Sequence, residues 1–99
     1  MDSRTVRINA LSGKPLADHA VLSSVVAAAH ALAERSGIRI VYLSTGDDFI
    51  EVDLVAEEVV AVGFAAELRR ITNKWFEEKF RAGPMWGTRR AESNPEEET

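Results

Sequence analysis

Ninety-nine residues, 45% apolar and 28% charged, make one ordinary globular domain with room for only a modest core. With no cysteine there is no disulfide framework and no thiolate chemistry, a usage that fits a reducing cytoplasm. The net charge of −4 hides a bipolar chain: residues 1–68 carry five Lys or Arg against ten Asp or Glu, residues 69–90 seven against two, and residues 91–99 four acids and no base.

Thr5 to Leu11 sets Val6, Ile8 and Ala10 on one side and Arg7 and Asn9 on the other, the alternation of a first strand that Ser12-Gly13-Lys14-Pro15 ends. A helix follows, opening near Pro15 to Asp18, where proline suits a first turn and a carboxylate complements the amino-terminal dipole. It stops at Gly37, the expected left-handed residue past the end. Leu22, Val25, Val26, Ala29, Leu32 and Ala33 form its core stripe, and Ala20, Ala27, Ala28 and Ala31 give it a second, smooth side. The run from Ala20 to Ala33, behind Arg4, Arg7 and Lys14 and ending Ala31-Leu32-Ala33, has the outline of a signal peptide. Asp18, His19, Ser23, Ser24 and His30 interrupt it, so a helix of the folded domain is expected, and it is too short and polar to span a membrane.

Ile38 to Ser44 is rich in β-branched and aromatic residues, Thr45-Gly46-Asp47-Asp48 supplies turn chemistry, and Phe49 to Leu54 alternates apolar with acidic, which predicts a hairpin. With Gly46 and Asp47 central in the turn and Gly46 at positive φ, Leu43 faces Ile50, Val41 faces Val52, and Arg39 lies near Leu54 on the core row. Ile38, Ile40, Tyr42, Phe49, Glu51 and Asp53 then share the outer face. Arg39 is the flaw in this register and predicts an edge position or a slip.

Val59, Val60 and Val62 suit a third hairpin strand, but Ala56-Glu57-Glu58 opens like a helix and Val60, Phe64, Leu68, Ile71 and Trp75 repeat at four, four, three and four. The spacing predicts a helix from about Glu57 to Arg81, weakened at Gly63. Phe76 and Phe80 lie about 100° round from its stripe and need another cover. Past Gly83-Pro84, Met85 and Trp86 either fold back over them, form a short edge strand, or reach a partner. Residues 1–87 are thus one domain, and residues 88–99 an acidic tail expected to be disordered.

Strand, helix, strand, strand, helix predicts an α+β class: a small βαββα sandwich with both helices on one face of an antiparallel-rich sheet, ferredoxin-like with the last strand short or missing.

Chemistry-bearing patterns are sparse. His19 and His30 are roughly 16 Å apart along one helix and cannot share a metal. Glu51 and Asp53 project from one strand face at about 7 Å, near the range of an acid and base pair, a geometry any strand of alternating charge has. Asp47, Asp48, Glu51 and Asp53 do not match a calcium loop, and no phosphate loop, dinucleotide fingerprint or zinc spacing occurs, so no metal and no cofactor is expected. The basic late helix, with Arg69, Arg70, Lys74, Lys79 and Arg81 before Arg89 and Arg90, suits phosphate, but Glu51 and Asp53 beside Phe49 argue against a nucleic-acid platform on the sheet.

The expected function is therefore that of a non-enzymatic accessory or regulatory protein-interaction domain in the cytoplasm. It would form a homodimer and bind an unidentified partner protein through the outer sheet face and the late aromatics, with Ile40, Tyr42, Phe49, Phe76, Phe80, Met85 and Trp86 as contacts. The alternative is a small oligomeric enzyme or ligand-binding protein whose subunit-boundary cleft uses Glu51 and Asp53, with Tyr42 and His19 or His30 nearby. Nucleic-acid binding through the late helix is third.

Overall fold

A strand that alternates apolar with acidic belongs where one face is buried and both edges are paired, and Phe49–Val55 holds that place. The computed structural model describes residues 3–81 and 83–86. Along them run β1 (Ser3–Asn9), α1 (His19–Ser36), β2 (Arg39–Thr45), β3 (Phe49–Val55) and α2 (Glu58–Phe80). The sheet order is β1-β3-β2 with both pairings antiparallel, and the fold is α+β as expected. Ile50, Val52 and Leu54 of β3 are fully buried beneath the two helices, with Val6 and Ile8 of β1 opposite Val52 and Ile50.

The hairpin turn is one residue out of step with the predicted one. Thr45 pairs with Ile50 and the Gly46 N–H donates to the Phe49 carbonyl at 3.1 Å, so Asp47 and Asp48 are the central residues. Gly46 does not take positive φ; among the described residues Gly13 and Gly37 are the glycines that do. What Gly46 avoids is a collision, because a Cβ there would sit 2.3 Å from Cε2 of Phe49. The Asp47 and Asp48 carbonyls accept from Leu16 and Ala10 at 2.8 Å, tying the turn to the connection after β1 and holding it in this position.

β2 carries the slip that Arg39 predicts. The register shifts between Ile40 and Tyr42, leaving Val41 as an extra residue. Ile40 then faces Leu54 and Leu43 faces Val52, whereas Arg39 lies opposite Val55 and Tyr42 opposite Asp53. Ile40 therefore belongs to the core row and not to the outer face where the unbulged register puts it. The physical reason is plain: the bulge moves Arg39 out of the core row and sets Ile40 there, half-buried against the core.

Asp18 caps α1, its Oδ1 accepting from the Ala20 N–H at 2.9 Å and from the Val21 N–H at 3.3 Å, after a single 3-10 turn over Pro15–Ala17 that buries Leu16. Gly37 ends the helix in the left-handed region, and the Ile38 N–H returns to the Ala33 carbonyl at 2.9 Å. Val21, Val25, Ala29, Leu32 and Ala33 are its buried residues, so the stripe begins at Val21 where Leu22 was expected.

Residues 59–62 are helical. The buried line of α2 is Ala61, Phe64, Ala65, Leu68 and Thr72, rotated from the predicted stripe so that Val60 is exposed and Ile71 and Trp75 are only half-buried.

Trp86 accounts for that rotation. Its indole N–H donates to Thr72 Oγ1 at 2.7 Å, and the same hydroxyl donates to the Leu68 carbonyl at 2.7 Å. Asn73 Oδ1 accepts from the N–H groups of both Met85 and Trp86 at 2.9 Å. On the other side the Leu11 N–H donates to the Met85 carbonyl, and Trp86 forms one antiparallel bridge with Ala10. That bridge lies beyond β1, where a ferredoxin-like unit adds its fourth strand, and among the described residues the strand is reduced to it. Met85 and Trp86 are 2% and 1% exposed, so they belong to the core and not to an outward contact surface. The acidic tail expected over residues 88–99 lies outside the described residues.

Candidate functional site

Register alone decides what the outer sheet face contains, because opposite residues on one face meet. Arg7 stands across from Glu51, Thr5 across from Asp53, and Asn9 across from Phe49. The Arg7 guanidinium lies 3.9 Å over the Phe49 ring, with Nη1 3.6 Å from Glu51 Oε2 and Nε donating to Asn9 Oδ1 at 3.0 Å. Thr5 Oγ1 donates to Asp53 Oδ1 at 2.5 Å. Glu51 and Asp53 are therefore engaged, one by a cation and one by a hydroxyl, on an uncovered face. An acid and base pair needs two environments that drive the carboxyls apart, and neither residue sits in an apolar pocket. Tyr42, Phe49, Glu51 and Asp53 share this face as predicted; Ile40 does not. Tyr42 is 63% exposed, beside Val41 at 52%.

A second surface lies on the solvent side of the helix layer. Between α1 and α2 runs a trough of about 410 Å³ lined by Ser24, Ala27, Ala28, Ala31, Ile71, Thr72 and Trp75. The smooth alanine side of α1 is one wall. Ile71 and Trp75 are the other, and Trp75, which periodicity assigned to the buried stripe, is the wall residue that sequence reasoning missed. Its signal was indirect: an alanine-walled helix leaves a gap that only a large neighbour can close. The Trp75 and Phe80 rings meet edge to face at 6.1 Å, Phe80 and Phe76 at 4.8 Å, and Phe80 is 41% exposed at the end of this ladder. Phe76 is half-buried and lines a smaller hollow with Leu11, Pro15, Pro84 and Met85, so the returning segment covers Phe76.

The remaining candidates do not assemble. His19 and His30 are both exposed on α1, and among the described residues no three His, Asp or Glu side chains converge as metal ligands. In the basic late helix, Arg70 is paired with Glu67, donating from Nε at 3.0 Å and from Nη2 at 2.5 Å. That hydrogen bond holds the Glu67 carboxyl below the usual carboxylate range, with the Arg70 charge adding to it. Among the described residues no helix is long and apolar enough to cross a membrane.

What the fold and these surfaces define is a class: a small α+β domain with apolar side chains exposed at one sheet edge and lining one interhelical trough at the border of its core. No protein-family profile matches the sequence, and no curated protein is similar to it.

Proposed function

We propose that the chain is a non-enzymatic protein-interaction domain, an accessory or regulatory module that self-associates and also holds a partner protein. The observation that carries this is the trough between α1 and α2, with alanines on one wall, Ile71 and Trp75 on the other, and the exposed Phe80 ring stacked edge to face beside Trp75. Alanine side chains are short, so a partner helix approaches the α1 backbone closely, while Trp75 and Phe80 supply the large rigid area that dominates such contacts. The apolar face of an amphipathic helical segment matches these walls. Glu51 and Asp53, already engaged by Arg7 and Thr5, lend the enzyme alternative no comparable support.

The test is site-specific photocrosslinking in the native cell, with a benzophenone-bearing phenylalanine at position 80. One discrete protein adduct is expected, and Ala28→Arg, which fills the trough, should abolish it. Adducts as diffuse as those from a control at exposed Glu34 would reject the trough as a binding surface.

A further inference from the structure

The self-association in the proposed function leaves open which surface two copies share, and the sheet edge answers that. We propose that β2 is the dimerisation edge: two copies join antiparallel along Arg39–Thr45 about a two-fold axis at Tyr42, extending the three-stranded sheet to six strands.

In the order β1-β3-β2, no described segment pairs with the far side of β2, whereas the far side of β1 is met at Ala10 by Trp86. An edge strand presents a row of unpaired N–H and C=O groups, and most are blunted by lysine, proline, inward charge or a bulge. Ile40-Val41-Tyr42-Leu43 has no lysine, proline or charge. Its bulge does not cover the edge: it leaves Val41 and Tyr42 side by side as the two large exposed apolar residues of the sheet's own strands. The outer face next to them is polar and internally paired, through Thr5 with Asp53 and Arg7 with Glu51, so the edge and not the face is where partners are lacking.

Charge identifies the occupant as a second copy. Arg39 points to the outer face at one end of β2, and Ser44, near the other end, has Glu51 as its neighbour on β3. Setting Tyr42 against Tyr42, and leaving Val41 out of the ladder as it is left out against β3, brings Arg39 of one copy opposite Ser44 of the other. The small serine side chain leaves the guanidinium room to reach Glu51, which Arg7 engages from the β1 side and whose carboxylate stays partly exposed. The two-fold axis repeats the exchange, so the edge is self-complementary in shape and in charge. Tyr42 on the axis adds an aromatic pair.

A chain without cysteine makes the test clean. Residues directly opposite across an antiparallel pair have Cα atoms about 4.5–5.5 Å apart, within the span of a disulfide. Tyr42→Cys is therefore expected to oxidise to a covalent two-chain species on a non-reducing gel, while Val59→Cys, more exposed still on α2, stays mostly single. Light scattering coupled to size exclusion should give the full chain a two-chain mass, and Tyr42→Lys a one-chain mass with a cooperative melting transition that no longer depends on concentration. A two-chain mass retained by Tyr42→Lys, together with no covalent dimer from Tyr42→Cys, overturns the edge and leaves self-association standing. A one-chain mass for the unmodified chain at about 100 μM overturns the edge and self-association together, while the trough is judged separately by its photo-adduct.

Discussion

Trp86 donates its indole N–H to Thr72 Oγ1 at 2.7 Å across fourteen residues, and both side chains are buried. The hydroxyl stands between a donor and an acceptor, since it passes its own proton to the Leu68 carbonyl. This contact sets how α2 is turned on the sheet and why Thr72, the buried polar residue of the core, lies on the helix's inner line.

Thr72→Val keeps the volume and removes the acceptor, leaving a buried indole N–H without a partner. Unfolding in urea should show a loss of about 1–3 kcal/mol. Thr72→Ser, which retains the oxygen, should lose less. A larger loss from Thr72→Ser than from Thr72→Val, which keeps the methyl group, would mean that the packing of the methyl and not the hydroxyl is what matters.

Asn73 anchors the returning segment by one oxygen that accepts two backbone N–H groups. Asn73→Ala should destabilise by about 2 kcal/mol and shift the Trp86 fluorescence to the red as water reaches the ring. Asn73→Asp keeps the acceptors and should behave closer to the original. An unshifted spectrum in Asn73→Ala would mean that the segment is held by packing alone.

Gly46→Ala puts a methyl group against the Phe49 ring, 2.3 Å from Cε2, and the ring must swing off Arg7 to make room. A loss of about 1 kcal/mol in thermal unfolding is expected. Adding Phe49→Ala should remove most of the difference between glycine and alanine at position 46. If the penalty persisted without the ring, backbone conformation would be its source.

The Glu67–Arg70 pair predicts a small pH effect of definite sign. Glu67 is held below the ordinary carboxylate range when folded, so whatever the pair contributes is present above that range and lost as the pH falls through the lowered value. Both groups are on the surface, where screening keeps such pairs weak. Glu67→Gln should therefore match the original chain in acid and trail it slightly at neutral pH. A difference that grew as the pH fell would reverse the assignment.

Local pattern was enough for much of this architecture. The alternation from Phe49 to Leu54 made β3 a strand with one buried face, and Asp18 and Gly37 marked both ends of α1, because caps and period-two patterns are written in neighbouring residues. The stripe from Val60 to Trp75 marked α2 as a helix but misjudged its rotation. Two small alanines and a threonine line its inner side, and nothing within the helix says that Trp86 will come to meet them.

The outer face shows the same division. Glu51, Asp53 and Phe49 had to share a side, but only pairing with β1 brought Arg7 and Thr5 to them. A bulge at Val41 then moved Ile40 inward and Arg39 outward, a choice between two registers that differ in which residue is buried. The smooth alanine side of α1 was likewise legible by itself, and its becoming a trough depended on Ile71 and Trp75 arriving from a second helix. Sequence by itself determined the elements, their ends and their faces, because those depend on residues a few positions apart. Tertiary structure decided the register of β2, the rotation of α2, the burial of Met85 and Trp86 and the existence of the trough, because each depends on surfaces far apart in the chain competing for the same core.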